Sequence, residues 1–333
     1  MQEYEKIILE QYDMDIRSTR KIRGAVLCDT EHGIYILKEV SVLPERIQAL
    51  AEFYNFLGNQ DCCKVDKILL NKEGKYITGE ENGNKYILKE WFLARECDVR
   101  KPGELLEAAG VLAKLHLLMR HEIPGIVSEG VRIDEEYVRH NQELKRVRKF
   151  IRKISPKSGF ELEFLKNYDE MFGWAKIAQA MLEESNYENL WQENKDKNCL
   201  VHGEYNYHNI LMDDAKQQGR LLAVTNFDKF KQDIQVEDFY YFFRKIMEKY
   251  GWKERLGDSL INAYSAVNPL TQDEIEYMKF RLVYPEKFWK IANAYYQSNK
   301  AWISLKSIEK LNVAVRQTKE KERFLKNVFS FSI

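Results

Sequence analysis

The sequence predicts an α+β protein in which a small strand-rich lobe precedes a larger, mainly helical one. Three observations carry this. Apolar residues alternate with a period of two across residues 20–40 and 65–91, and from Pro102 onward they recur at three-to-four spacing. The 333 residues, at roughly 150 per domain, leave room for two folding units.

Each element follows in order. Ile22, Gly24, Val26 and Cys28 lead into Asp29-Thr30-Glu31-His32-Gly33, and Ile34–Lys38 runs back, which predicts a hairpin with Gly33 at its turn. Pro44 opens a helix, since proline is tolerated at the first helical position, and Ile47, Leu50, Ala51, Tyr54 and Leu57 form its apolar stripe. Val65–Asn71 and Lys75–Thr78 predict a second hairpin around Lys72-Glu73-Gly74, and Lys85–Trp91 adds a strand. The expected boundary lies after Phe92, giving lobes 1–92 and 93–333. In the second lobe, Leu105, Ala108, Ala109, Leu112, Leu115, His116 and Met119 mark a buried helix. Long helices are expected over 134–153 and 160–190, Gly251 and Pro269 punctuate later ones, and residues 210–226 carry a late strand signal.

Composition narrows the class. With 44% hydrophobic and 31% charged residues the chain has both a core and a solvated surface, which excludes a disordered or collagen-like protein. Lys+Arg (52) balance Asp+Glu (52), so no global field draws it onto nucleic acid or anionic lipid. No run of 18 uncharged apolar residues predicts a membrane span, and the acidic, amphipathic Met1–Ile8 is unlike a secretory signal. Cys28, Cys62, Cys63, Cys97 and Cys199 are odd in number. The adjacent pair suits neither an ordinary disulfide nor a tetrahedral zinc site, so reduced thiols of a cytosol are expected. No internal repeat of domain or motif length is evident.

The most informative stretch is Leu200-Val201-His202-Gly203-Glu204-Tyr205-Asn206-Tyr207-His208-Asn209-Ile210-Leu211, with Leu221–Val224 and Thr225-Asn226-Phe227-Asp228 following. Phosphoryl transfer calls for such a set: a carboxylate to accept the hydroxyl proton, an Asn to help hold magnesium, and a second acid after a strand. These residues resemble the catalytic loop and metal motif of the aminoglycoside-phosphotransferase-like kinases, which read HGD-x-x-x-x-N and then D-F or D-W.

The resemblance implies a bilobal protein-kinase-like fold and assigns roles. Glu204, Asn206 and Asn209 stand at catalytic positions, and Asn209, Asn226 and Asp228 at metal positions. Lys38 matches the phosphate-binding lysine, with Glu45 or Glu52 on the Pro44 helix as its acidic partner and Glu52 grouped with the nucleotide-binding residues. Glu90-Trp91-Phe92 matches the hinge facing adenine, the Leu112–His116 segment matches a family helix, and His202 and Asp238 match residues that support the loop. ATP and Mg2+ are the implied cofactors if the protein is active. Tyr284-Pro285-Glu286-Lys287-Phe288-Trp289-Lys290, Asn293–Tyr296, Lys300-Ala301-Trp302 and Lys310-Leu311 are similar to the C-terminal signature of CotS-type spore coat proteins, as are Arg23-Gly24 and Arg95-Glu96. That likeness implies synthesis in a mother-cell cytosol, deposition on the spore coat, and other coat proteins as partners.

Two departures set the functional expectation. Glutamate replaces the catalytic aspartate at 204, and neutral asparagine replaces the metal aspartate at 226. Magnesium in such sites is bound through carboxylates and substrate phosphates, so a degenerate kinase used for binding or assembly is the leading reading. A working phosphotransferase with a small-molecule acceptor is the alternative. A third reading rests on the eight Lys/Arg between Arg139 and Lys157, opposite an apolar side of Leu144, Val147, Phe150 and Ile151. This is a solvated helix face or a polyanion-docking surface, with nucleic acid disfavoured by the neutral charge. Phe288, Tyr295 and Trp302, seven apart, read as a core stripe.

Overall fold

A computed structural model describes residues 3–22, 24–79, 83–125, 127–213, 220–298 and 305–331. Two compact units emerge. Met1–Glu129, Lys197–Gln232 and Ala263–Asn268 form the first; Gly130–Asp196, Asp233–Asn262 and Pro269–Ile333 form the second. The junction expected after Phe92 lies inside the first unit.

The first unit begins with α1 (Glu3–Leu9), β1 (Ile16–Ile22), β2 (Ala25–Thr30), β3 (Ile34–Val40), α2 (Pro44–Gly58) and β4 (Lys64–Val65). It continues through β5 (Thr78–Gly79), β6 (Lys85–Trp91), β7 (Arg95–Glu96) and α3 (Pro102–Leu118). The chain then builds α4 (Ile133–Lys153), α5 (Gly159–Glu184) and α6 (Tyr187–Asp196) of the second unit. It returns to the first as β8 (Leu200–Val201), β9 (Ile210–Asp213), β10 (Arg220–Val224), a 3-10 turn (Phe227–Lys229) and β11 (Lys231–Gln232). Last come α7 (Val236–Tyr250), α8 (Glu254–Ser265), α9 (Gln272–Val283), α10 (Glu286–Gln297) and α11 (Leu305–Val328), the end of α8 joining the first unit.

Strand alternation sorts the main sheet, ordered β1-β2-β3-β6-β5, into two faces. Val26, Cys28, Leu37, Tyr86 and Leu88 pack on Ile8, Leu9 and Tyr12 around α1. The opposite face carries Ile36, Lys38, Ile87 and Lys89. Beside it, β10 pairs parallel with β4 and antiparallel with β9 in a second sheet, β4-β10-β9-β7. The predicted stripe of α2 is buried throughout, as is that of α3.

Two elements differ from expectation. The second hairpin contracts to a turn, because the Asn71 side-chain carbonyl accepts from the N–H groups of Glu73 and Lys75 at 3.0 and 2.9 Å and closes the loop without a ladder. The helix expected over 160–190 is two helices: the Ser185 hydroxyl donates to the Leu182 carbonyl at 2.7 Å, and Ser185 turns extended.

In the second unit, Leu144, Val147 and Ile151 of α4 are buried, while Arg146, Lys149, Arg152 and Lys153 face solvent. Phe288 and Tyr295 stack on Phe164 and Phe160, so the seven-residue stripe is core as far as it is described; Trp302 lies outside the described residues. Among the described residues no helix is long and apolar enough to cross a membrane.

His140 stacks on Trp289, and burial, reinforced by the Arg139 guanidinium, pushes its pKa down to about 4. The native state therefore holds it neutral, while the unfolded chain protonates it near pH ~6.5. Stability from this group is complete above that pH and declines as pH falls toward 4. Urea unfolding between pH 7 and 5 is expected to show this loss, with a slope of at most about 1.4 kcal/mol per pH unit from this one proton, flattened in His140→Gln. Replacing Arg146, Lys149 and Lys153 together by Gln is expected to move stability by no more than about 0.5 kcal/mol, as for an ordinary solvated face.

Candidate functional site

The site lies within the first unit and begins with a short repeat. Tyr-Ile-Leu-Lys-Glu occurs twice, at residues 35–39 in β3 and 86–90 in β6. The copies pair antiparallel with Leu37 opposite Leu88, Ile36 opposite Lys89 and Lys38 opposite Ile87. Both lysines thus share one face as diagonal neighbours. They converge on Asp228 in the 3-10 turn, where Lys38 ion-pairs with Oδ2 and Lys89 Nζ lies 3.3 Å from Oδ1. Lys89 also reaches Asp66 Oδ2 at 2.5 Å and the Tyr54 hydroxyl at 2.7 Å.

Burial separates the two lysines. The Lys89 and Asp66 side chains are 1% and 0% exposed, against 36% and 30% for Lys38 and Asp228. Burial pushes the Asp228 carboxyl up, but Lys89 and Lys38 outweigh it and hold it well below the usual carboxylate range. Burial likewise disfavours the Lys89 cation, and Asp228 and Asp66 more than offset this.

The loop between β8 and β9 is braced from within. Buried His202 donates from Nε2 to the Thr225 carbonyl at 2.9 Å and accepts the Glu204 N–H at Nδ1, which assigns the neutral Nε2–H tautomer. Gly203 has φ +78°, and a Cβ there would sit 2.2 Å from the Lys229 carbonyl oxygen, so the glycine between His202 and Glu204 is a steric requirement. The Asn206 and Asn209 amides both donate to the Glu204 carbonyl, at 2.8 and 3.0 Å. The Glu204 carboxylate itself lies 3.1 Å from Lys229 Nζ.

The two asparagines at metal positions bond each other. Asn226 adopts the left-handed conformation (φ +63°), its N–H donates to both oxygens of Asp66 at 3.1 Å, and its Nδ2 donates to Asn209 Oδ1 at 3.0 Å. Asn209 Oδ1, the atom that would face a cation, therefore already accepts a hydrogen bond.

Of these residues, Lys38, Asn209 and Asn226 line an open cleft of about 1380 Å³ counted with its mouth, walled by Leu27, Ile36 and Leu211 and by Trp91 and Phe92. Lys38, Trp91, Phe92, Asn209, Asn226, Asp228 and Glu204 are thus gathered in one unit. Two assignments change. Glu52 hydrogen-bonds Gln48 on the outer side of α2 while the carboxylate on Lys38 is Asp228, because the apolar stripe turns Tyr54 rather than Glu52 toward the lysines. Glu90 is exposed on the face opposite Lys89 and Trp91, with its N–H donated to the Lys67 carbonyl at 2.8 Å. Asp238 is buried in the first turn of α7, in the second unit. Sequence reasoning missed Lys89, Asp66, Tyr54 and Lys229; the repeated pentapeptide was the available signal for Lys89.

The cleft has the aromatic and apolar walls that a nucleotide base requires, with Lys38 where its phosphates would lie. Magnesium does not fit the donor set. Asp228 is held by two ammonium groups, Asn226 is neutral, and Asn209 Oδ1 already accepts one hydrogen bond. Among the described residues no group of three or more His, Cys, Asp or Glu side chains is arranged to hold a metal ion.

A family model described as "Spore coat putative kinase YutH" matches residues 5–328. Spore coat protein S of Bacillus subtilis (strain 168) is 23% identical over 310 residues, 90% of this chain and 84% of that protein. The aminoglycoside phosphotransferase of Alicyclobacillus acidocaldarius superposes with a TM-score of 0.84 at 15% identity, covering 98% of this chain and 95% of that one. Spectinomycin phosphotransferase in complex with ADP and spectinomycin gives 0.63 at 12% identity, covering 96% of this chain and 99% of that one. The fold is the kinase-like α+β one expected from the sequence.

Gly203→Ala is expected to lose at least about 2 kcal/mol in urea unfolding, from left-handed strain and the clash with Lys229. Gly173→Ala, in α5 with open space around it, is the control and is expected to gain up to about 1 kcal/mol.

Proposed function

Since the chain belongs to the spore coat kinase-like family, we propose that it is a coat component that keeps the phosphotransferase fold for binding and assembly and not for phosphoryl transfer. One observation carries this reading: the Asn226 amide donates to Asn209 Oδ1, so a neutral side chain at one metal position is bonded to the other. Asp228, the remaining acid, is engaged by Lys38 and Lys89. The base position is altered in parallel, since Glu204 is one methylene longer than aspartate and is paired with Lys229. Transfer needs both parts in place within a few tenths of an ångström.

In this reading the protein is made in the mother cell, is deposited on the spore coat, and binds other coat proteins there. Residues 1–92 and 93–333 serve as the small and large lobes. Lys38, Trp91 and Phe92 bind a ligand in the cleft, and His202, Asn206 and Asn209 hold the loop in shape. A small-molecule acceptor belongs to the alternative, a working ATP-dependent kinase.

The test restores the missing carboxylates. Glu204→Asp combined with Asn226→Asp is expected to gain magnesium-dependent nucleotide binding. The natural protein is expected to transfer no phosphate to aminoglycosides, choline or protein acceptors, below about a thousandth of the 1–100 per second usual for kinases, a barrier increase of roughly 4 kcal/mol or more. Turnover by the natural protein that exceeds the double variant's would establish the alternative, with Glu204 as a working base.

A further inference from the structure

Lys89 and Asp66 have no part in the phosphoryl-transfer set that the sequence motif implies, yet they are the most deeply buried charges beside the cleft. An ammonium has three N–H donors, and here three oxygens receive them: Asp66 Oδ2 at 2.5 Å, the Tyr54 hydroxyl at 2.7 Å and Asp228 Oδ1 at 3.3 Å. The group is a cation with a complete oxygen shell, tethered by its own side chain. It stands against Asp228, the carboxylate among the metal positions. A divalent ion bound there would be repelled by Lys89 at close range and would have to displace Lys38 as well.

We propose that the Lys89 ammonium is the resident cation of this cleft, and that the cleft takes a nucleoside polyphosphate in its metal-free form. This rests on the reading that the site does not transfer phosphate, and it names the ligand class of that same site. The charges of the site argue for it. Asp66 and Asp228 are offset by Lys89 and Lys38, and the Glu96 carboxylate is hydrogen-bonded to His208 Nδ1 at 2.5 Å. Arg20, exposed on the cleft wall, has no ion-pair partner among the described residues. A metal-free phosphate chain brings the negative charge that Arg20 lacks and can share Lys38 with Asp228, whereas a metal-loaded chain brings less charge and a cation with no carboxylate to receive it.

The experiment is calorimetric titration of the full chain with ATP, in excess EDTA and again in saturating magnesium, with product analysis on the same samples. ATP is expected to bind in EDTA at least as tightly as in magnesium, and Mn2+ added to the ATP-loaded protein is expected to keep the spectrum of Mn-ATP free in solution. Binding about tenfold tighter with magnesium, bound Mn2+ beside the cleft, or no ATP binding in either buffer would each overturn the proposal. Lys89→Met with Asp66→Asn removes the cation together with the buried carboxylate that requires it, and frees Asp228 from one lysine. This variant is expected to bind ATP about tenfold tighter with magnesium than without. A folded variant that still ignores magnesium would also overturn the proposal, and the Mn2+ measurement on the natural protein decides the matter if the variant does not fold. Product formation by the natural protein would defeat the earlier reading of function; magnesium-tightened binding without product defeats only this inference.

Discussion

Of two neighbouring carboxylates, Asp66 is wholly buried and Asp228 lies close enough to oppose its ionisation. Such an arrangement is tenable only with a cation between them, and Lys89 supplies it. Removing one partner of a buried pair typically costs about 3–5 kcal/mol, because the other is left charged and dry. The ammonium therefore ties β6 to α2 through Tyr54, to the segment after β4 through Asp66, and to the 3-10 turn through Asp228. It also defends the strand register. A slip of one residue would carry Lys89 to the α1 face, where Leu88 packs, and Leu88 to the charged face.

The turn that presents Asp228 depends on the same group of residues. Asp66 accepts the Asn226 N–H, Tyr54 accepts the Phe227 N–H at 3.1 Å, and Phe227 packs edge-on against Phe53 and Tyr54. Asn226 tolerates the left-handed conformation that this path demands. From there its amide reaches Asn209 and so links the turn to the loop before β9. Chains that share a kinase-like scaffold at 12–15% identity share its path. The chemistry at such a centre rests on a few side chains, and here Asn226 bonds Asn209 while Lys38 and Lys89 engage Asp228.

Much was legible in the sequence because it was local. Period-two alternation placed β2, β3 and β6, the Pro44 and Pro102 signals placed α2 and α3, and the ordered motif from Lys38 to Asp228 marked the cleft. Failures occurred where side chains competed with backbone ladders. The Asn71 carbonyl captured two N–H groups and replaced a hairpin, and the Ser185 hydroxyl ended a helix that hydrophobic spacing would have continued.

The sequence by itself determined that this is a kinase-like α+β chain whose His-Gly-Glu loop departs from the motif it resembles, because the motif residues, their spacing and the departures at 204 and 226 are readable one letter at a time. Only the tertiary structure decided what partners the charged residues take. Lys38 sits on Asp228 and not on Glu52, Glu204 sits on Lys229, and Lys89 is the most buried cation beside the cleft. The reason is physical: the worth of a charge depends on its desolvation and on which opposite charge the fold brings within about 3–4 Å, and residues 66, 89 and 228 meet only after the chain has closed.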